Sequence, residues 1–243
     1  MSNDIQFSLV IPCFNESGNL TALVERCRVL LASQPTVEVV LVENGSTDDS
    51  EAKLYELFEN DCNDRLRFVK VDINQGYGHG ILFGLQKCNG AVMGWTHADL
   101  QADPLDFAHA ISFFASMDTK SNVFVKGERY GRSFLDRCFT RAMTIVEWLI
   151  LGVKMTEINA QPTLFSRSFY ETWQSPPNDF SLGLYVYRQA LYEKLKIIRF
   201  PVYFGLRLIG DGHNDTFVSK LRYSWKTIQF SLSLRSRLRR LKD

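Results

Sequence analysis

The feature that most limits what this chain folds into is an alternation of two apolar rhythms. Residues 7–11, 37–42, 68–71 and 91–94 are short, nearly continuous apolar runs, the pattern of strands buried on both faces. Between them apolar residues recur at helical spacing, as at Leu20, Leu23, Val24, Cys27, Leu30 and Leu31. Strands separated by helices of ten to fifteen residues imply right-handed βαβ units and a mostly parallel sheet. Beyond Arg129 the alternation weakens, with helices expected over 135–151 and 181–195 and strands over 163–165 and 197–204. No repeat and no Pro/Gly/Ser-rich linker divides the chain. The expected organisation is therefore one α/β domain over 1–215, a mostly parallel sheet flanked by helices, with a basic amphipathic C-terminal helix over 216–243.

In an open parallel sheet, ligands bind in the crevice beyond the carboxyl ends of the strands. Three strands here exit into polar loops: Pro12-Cys13-Phe14-Asn15-Glu16, Glu43-Asn44-Gly45-Ser46, and Thr96-His97-Ala98-Asp99-Leu100-Gln101. Asp99 and Gln101 alternate with Leu100, so in an extended segment both oxygens face one side. Oxygen ligands so placed suit Mg²⁺ or Mn²⁺ on a diphosphate. Alone, Asp-x-Gln is more often an ordinary strand-to-helix turn than a metal site, and Asp103 before Pro104 is expected only to cap the next helix. Ser46 is the expected N-cap of the second helix, with Asp48 and Asp49 in its first turn. Gly76, Gly78 and Gly80 follow the third strand with G-x-G-x-G spacing, which disfavours a dinucleotide-binding dehydrogenase.

Charge is unevenly spread. The formal net charge is +1, yet from Arg199 onward ten basic residues face three acidic ones, which points to an anionic ligand or surface near the C-terminus. Along the tail Leu221, Trp225, Ile228 and Leu232 share one helical face, and Phe230, Leu234, Leu238 and Leu241 gather on another. Either one stripe docks on the domain while the other lies on an anionic leaflet with Arg235, Arg237, Arg239 and Arg240 near the headgroups, or both pack on the body or a second subunit as a homodimer. No recognition motif accompanies this basic tail, so nucleic acid is not an expected partner. Five cysteines without C-x-x-C spacing suggest neither a zinc site nor a disulfide framework, and fit a reducing cytoplasm. The first strand begins within a few residues of the start, leaving no room for a signal peptide. The most apolar later run, 143–153, is broken by Glu147 and falls short of the ~18 residues a membrane span needs.

Taken together, these loops resemble the family-2 glycosyltransferases of the GT-A fold, and within them the dolichol-phosphate mannose synthases and bacterial polyprenyl-phosphate glycosyltransferases. The marks are Pro-x-Phe-Asn-Glu after the first strand, a variant of the Asp-Asp-Gly-Ser loop after the second, Asn-x-Gly-x-Gly before the third helix, Asp-Leu-Gln-x-Asp-Pro, and Gly127-Glu128-Arg129-Tyr130. The resemblance runs from Ser8 to His213. It implies that Pro12, Phe14, Asn15 and Glu16 line the base and ribose pocket. Glu43, followed by Asn44 and Gly45, stands where the family has an aspartate on the nucleoside, and Gly76 and Gly78 belong to the same nucleotide-binding edge. It implies that Asp99 and Gln101 hold a divalent cation, Mg²⁺ or Mn²⁺, that Arg129 and Arg207 contact phosphate, and that His213 falls near a family lysine.

Three departures stand out. His97 replaces the first acidic residue of the usual Asp-x-Asp, and three roles stay open for it: ligating Mn²⁺ in preference to Mg²⁺, hydrogen-bonding a phosphate, or neither. Glu43-Asn44 replaces Asp-Asp, and Asn159-Ala160-Gln161-Pro162 replaces a Thr-Gly-Ser-Phe-type segment on the acceptor side. The implied reaction is inverting, metal-dependent transfer of a sugar from a nucleotide-diphosphate donor to a polyprenyl phosphate. The setting it implies is lipid-linked or cell-envelope glycan synthesis, by a peripheral protein at the inner face of the membrane. A phosphate acceptor is already ionised; a sugar hydroxyl of a growing surface polysaccharide, the rival acceptor, needs a base, for which Asp179 is the candidate. The other role open to Asp179 is a cap or first-turn residue of the following helix. From a different class, the altered acidic positions also suit a non-catalytic nucleotide-sugar-binding scaffold.

Overall fold

The computed structural model describes residues 5–59, 63–115, 122–205 and 217–240. Seven strands form one sheet in the order β3-β2-β1-β4-β6-β5-β7. The strands are β1 (Phe7–Cys13), β2 (Val37–Asn44), β3 (Leu66–Val71), β4 (Val92–Trp95), β5 (Val123–Tyr130), β6 (Thr163–Ser166) and β7 (Lys196–Tyr203). Only β6 runs against its neighbours, β4 and β5; every other pair is parallel. All strands but β6 therefore point their carboxyl ends at one edge. The order reverses at β1, which lies between β2 and β4, and a crevice at such a reversal is where α/β sheets take ligands.

The apolar runs do what continuous burial requires: every residue of β1, β2, β4 and β6 is buried. Helices cover both faces. On one face α1 (Leu20–Ser33), α2 (Ser50–Phe58) and α4 (Asp106–Ala115) share a core with Leu9, Ile11, Val39 and Leu41. On the other, α3 (Tyr77–Gln86) and α7 (Leu182–Tyr192) pack on Val10, Val40, Val42 and Phe165. The six residues expected to form the inner stripe of α1 are its six buried ones.

The remaining helices are α5 (Phe134–Leu151), α6 (Arg167–Glu171) and α8 (Phe217–Arg240). Ser133 caps α5 by accepting from the Asp136 N–H, and Gly152 closes it in a left-handed conformation at φ 72°, so both ends carry their ordinary stop signals. Buried Glu147 of α5 accepts a 2.5 Å hydrogen bond from Ser231 of α8. Phe230 and Leu234 of α8 pack against the core under β1, β2 and β6, whereas Trp225 and Leu232 are exposed. Ile228, of the same stripe as Trp225 and Leu232, is half-buried. The boundary expected at 215/216, with Leu221, Leu238 and Leu241, lies outside the described residues or side chains. Among the described residues no helix is long and apolar enough to cross a membrane, and Cys13, Cys27, Cys88 and Cys138 are free thiols.

One local expectation is corrected. Helix α2 starts at Ser50 with Asp49 as its cap residue, and Ser46 is not its cap. The Ser46 hydroxyl is taken by the Asn15 N–H at 3.1 Å, while Asp48 accepts from Ser50 N at 2.9 Å. A long-range bond to the first loop has displaced the local one.

Candidate active site

The first two polar loops are stitched together by Asn15. Its side chain accepts from Thr47 N at 2.8 Å and donates to Thr47 Oγ1 at 3.2 Å, and its own backbone sits at φ 55°, a region asparagine tolerates. Glu16 N donates to Ser50 Oγ and Ser17 N to Asp48, while Glu16 accepts from Asn19 at the start of α1. Pro12 falls past the last β1–β4 pair, Val10 with Trp95, so its missing N–H breaks no ladder bond there. Phe14 is half-buried beside it.

Glu43 is buried and folds back on its own loop, accepting from Gly45 N at 3.2 Å and Ser46 N at 2.7 Å. Gly45 stands at φ 67°, and a Cβ there would lie 2.4 Å from Asn74 N. Asn44 donates to Gly76 O at 3.1 Å and Asn74 returns a bond to Asn44 O at 2.8 Å. These bonds clamp the second loop to the glycine-rich turn. A side chain at Gly78 would strike the backbone of Pro177 and Asp179 at 2.7 Å, so this glycine makes room for the segment that carries Asp179. Asp179 itself is exposed and accepts from Ser181 N at 2.9 Å, the turn-capping role open to it from sequence.

Asp99 and Gln101 are not extended, which corrects the same-side argument. Leu100 turns left-handed at φ 58°, and Asp99 accepts from Gln101 N at 3.1 Å. Gln101 then pairs with the segment after β7: Gly205 N donates to Gln101 O at 2.9 Å and Gln101 Nε2 to Gly205 O at 3.3 Å. Asp103 does not cap α4, which begins at Asp106: it accepts from Leu105 N in the turn leading into the helix and is paired with Arg26, so it does more than the local capping expected of it.

His97 lies against Tyr77, whose hydroxyl is 3.2 Å from Nδ1. The Tyr77 ring is stacked between His97 and Phe180, 5.4 and 4.6 Å from their centroids. Burial, and then the nearby Asp99 charge, push the Tyr77 phenol up, so it stays protonated. Cys13 at the end of β1 is likewise pushed up, by burial and by Glu16, Cys27 and Glu43, toward the thiol form.

Arg129, near the end of β5, donates from Nε to Glu157 at 2.7 Å, and Arg132 reaches the same carboxylate at 3.5 Å. Both guanidinium groups lie over the Phe204 ring, at 5.3 and 5.9 Å. Because Phe204 and Gly205 are adjacent, the arginine pair is brought beside Gln101. Below it, buried Lys126 donates to Ala160 O at 2.8 Å, and Arg199 donates to the Thr156 carbonyl and to Tyr187. Glu157, Lys126, Arg132 and Arg199 were invisible as a site in the sequence; the available signal was the unusual 159–162 segment they surround. Arg207 and His213 lie outside the described residues.

A divalent cation is compatible with these groups only as a shared ligand. Among the described residues no three His, Cys, Asp or Glu side chains gather as a cation site, and no cation pairs with Asp99. One carboxylate completed by substrate phosphates and water is an ordinary way to hold Mg²⁺.

Residues 8–196 match the model of glycosyl transferase family 2, and the chain belongs to that family. It is 25% identical over 197 residues to the dodecaprenyl-phosphate galacturonate synthase of Rhizobium johnstonii, covering 80% of this chain and 51% of that protein. It is 34% identical over 111 residues to the undecaprenyl-phosphate 4-deoxy-4-formamido-L-arabinose transferase of Pseudomonas savastanoi pv. phaseolicola, covering 43% of this chain and 31% of that one. The chain thus spans about half the length, or less, of these relatives. Glucosyl-3-phosphoglycerate synthase from Mycobacterium tuberculosis, solved with UDP, superposes with a TM-score of 0.72 at 18% identity, over 95% of this chain and 80% of that one. A mannosyltransferase from Pyrobaculum calidifontis, solved with GDP-Man and Mn²⁺, gives 0.64 at 17% identity, over 98% and 64%. The fold is GT-A, as the sequence implied.

Proposed function

We propose that the chain is an inverting, metal-dependent glycosyltransferase that moves a sugar from a nucleotide-diphosphate donor to a polyprenyl phosphate at the inner face of the cell membrane. The observation that carries this reading is the convergence, on one sheet edge, of the Asn15-linked loops, Asp99, and the Arg129–Arg132 pair joined to Gln101 through Phe204 and Gly205. The names of the two bacterial relatives, each a transferase or synthase on a polyprenyl phosphate, support the acceptor.

Pro12, Phe14, Asn15, Glu16 and the Glu43-Asn44-Gly45 loop take the nucleoside, with Gly76 and Gly78 shaping the adjoining turn. Asp99 holds the divalent cation, Mg²⁺ or Mn²⁺, together with the diphosphate, and His97 and Gln101 flank it. When bound, that cation neutralises the charge developing on the leaving diphosphate. Arg129 donates from its terminal nitrogens to phosphate while Glu157 holds its Nε, and Arg207 and His213 are assigned to the same phosphates by family resemblance. The acceptor phosphate oxygen bonds to the anomeric carbon as the bond to the diphosphate oxygen breaks, from opposite faces, so configuration inverts. Asp179 accepts from Ser181 N with one carboxylate oxygen, and an ionised phosphate acceptor calls on no base at all. Residues 216–243 are a basic appendage that helps keep the protein at the membrane.

Calorimetric titration with UDP, GDP and other nucleoside diphosphates, with and without Mn²⁺ or Mg²⁺, tests the reading against an Asp99→Ala variant. Metal-dependent binding of one nucleotide, lost in the variant, is the expected result. No binding under any metal condition would sink the transferase reading. Binding without metal-dependent donor hydrolysis or transfer would favour the scaffold.

A further inference from the structure

Helix α5 exposes an apolar stripe that no other element covers among the described residues. Phe134 is 72% exposed, Leu135 77%, Ile145 54%, Trp148 51% and Leu149 68%. At 3.6 residues per turn these five fall within an arc of about 140°. Arg141 lies inside that arc and Arg137 at its margin, and both are exposed. The two carboxylates of α5 are on the opposite side: Asp136 bonds Ser133 at the helix start, and Glu147 is buried against Ser231 of α8. One side of the helix is therefore held by the protein, and the other is apolar, basic and free of carboxylate.

From this pattern we infer that the outward stripe of α5 is a docking surface for an anionic lipid leaflet. The occupant is set by charge: Trp148 and the aliphatic side chains suit the headgroup boundary, and Arg137 and Arg141 suit anionic headgroups. Position supports the same occupant, since Phe134 follows Arg129 by five residues through Gly131 and Ser133. A lipid phosphate entering from the leaflet then meets the arginine pair at the stripe's own end. This surface deepens the membrane reading proposed above and rests on it, but vesicle binding needs neither donor nor transfer.

The test uses the full chain and sedimentation with vesicles of phosphatidylcholine alone or with phosphatidylglycerol. Wild type is expected to partition at least tenfold more strongly onto the anionic vesicles. Ile145→Ser/Trp148→Ser/Leu149→Ser and, separately, Arg137→Glu/Arg141→Glu are expected to lower that partition tenfold or more, with circular dichroism and UDP and GDP titrations unchanged from wild type. Wild-type partition in both variants would overturn the inference. So would a stripe variant that converts a dimer to a monomer in sedimentation velocity without changing vesicle binding, which would assign the stripe to a second copy. Loss of nucleotide binding in wild type with vesicle binding intact would fault the reaction and leave the surface standing.

Discussion

Glu157 accepts from Arg129 Nε at 2.7 Å while its other oxygen faces Arg132 at 3.5 Å, so one carboxylate holds two guanidinium groups together. In the proposed reaction a phosphate would bring negative charge to the same arginines. Glu157→Gln is expected to tighten pyrophosphate and nucleoside diphosphate binding several-fold. The lost charge-assisted bonds should lower stability by about 1–3 kcal/mol. Titration calorimetry and urea unfolding read the two effects. Weaker binding would mean that Glu157 orients Arg129 and does not compete with its ligand.

Lys126 is buried in the same corner, with Nζ 2.8 Å from Ala160 O and 3.4 Å from Thr163 Oγ1. Burial, then the charges of Arg199 and Arg129, hold its pKa well below the ordinary lysine range. The folded pKa lies under the unfolded value of about 10.4, so between the two the unfolded chain binds more protons and stability rises with pH. Wild type is expected to gain urea stability from pH 8 to pH 10 relative to Lys126→Met, by up to about 1.4 kcal/mol per pH unit. Parallel profiles for the two proteins would show that Lys126 remains charged.

At the other end of the sheet, Glu38 is buried and accepts from Ser8 at 2.6 Å, Asn89 N at 2.5 Å and Arg67 at 2.6 Å. Burial alone would raise its pKa, but these donors outweigh it and the carboxyl titrates below its ordinary value. Its stabilisation is therefore present above the unfolded pKa of about 4.3 and is lost as pH falls through the folded one. Glu38→Gln should cost about 2–4 kcal/mol at neutral pH, with the gap to wild type closing as the pH drops below about 4. A constant gap in urea midpoints down to pH 3 would remove Glu38 from the acid transition.

These groups also mark where sequence reading ended. The strands and α1 were legible because a parallel sheet buried on both faces writes its residues as continuous apolar runs, and a covering helix writes a stripe. The loops of Asn15, Glu43 and Asp99 were legible as a candidate site because strand order and polar exits fix them to one edge. Local geometry within the loops was not. Leu100 in a left-handed turn reverses the Asp99–Gln101 relation, and Ser46 serves Asn15 across 31 positions instead of its own helix. The Arg129–Glu157 and Lys126–Ala160 pairs depend on β6 running antiparallel between β4 and β5, a reversal that the apolar runs of those strands do not encode.

His97 is the departure whose role the neighbours now narrow. The Tyr77 phenol is protonated, and its hydroxyl lies 3.2 Å from Nδ1. If it donates there, the imidazole proton of neutral His97 sits on Nε2 as a hydrogen-bond donor, the form suited to phosphate; the opposite tautomer makes Nε2 a lone-pair donor, the form suited to a metal. Donation from Tyr77 is expected, because a buried phenolic proton without an acceptor costs about 1–3 kcal/mol. His97→Gln, which keeps a donor, should then retain most nucleotide affinity and the wild-type Mn²⁺-to-Mg²⁺ ratio, while His97→Ala and Tyr77→Phe lose several-fold in nucleotide affinity under either metal. A collapse of Mn²⁺-dependent binding in His97→Gln, with Mg²⁺-dependent binding spared, would instead make His97 a ligand of the metal.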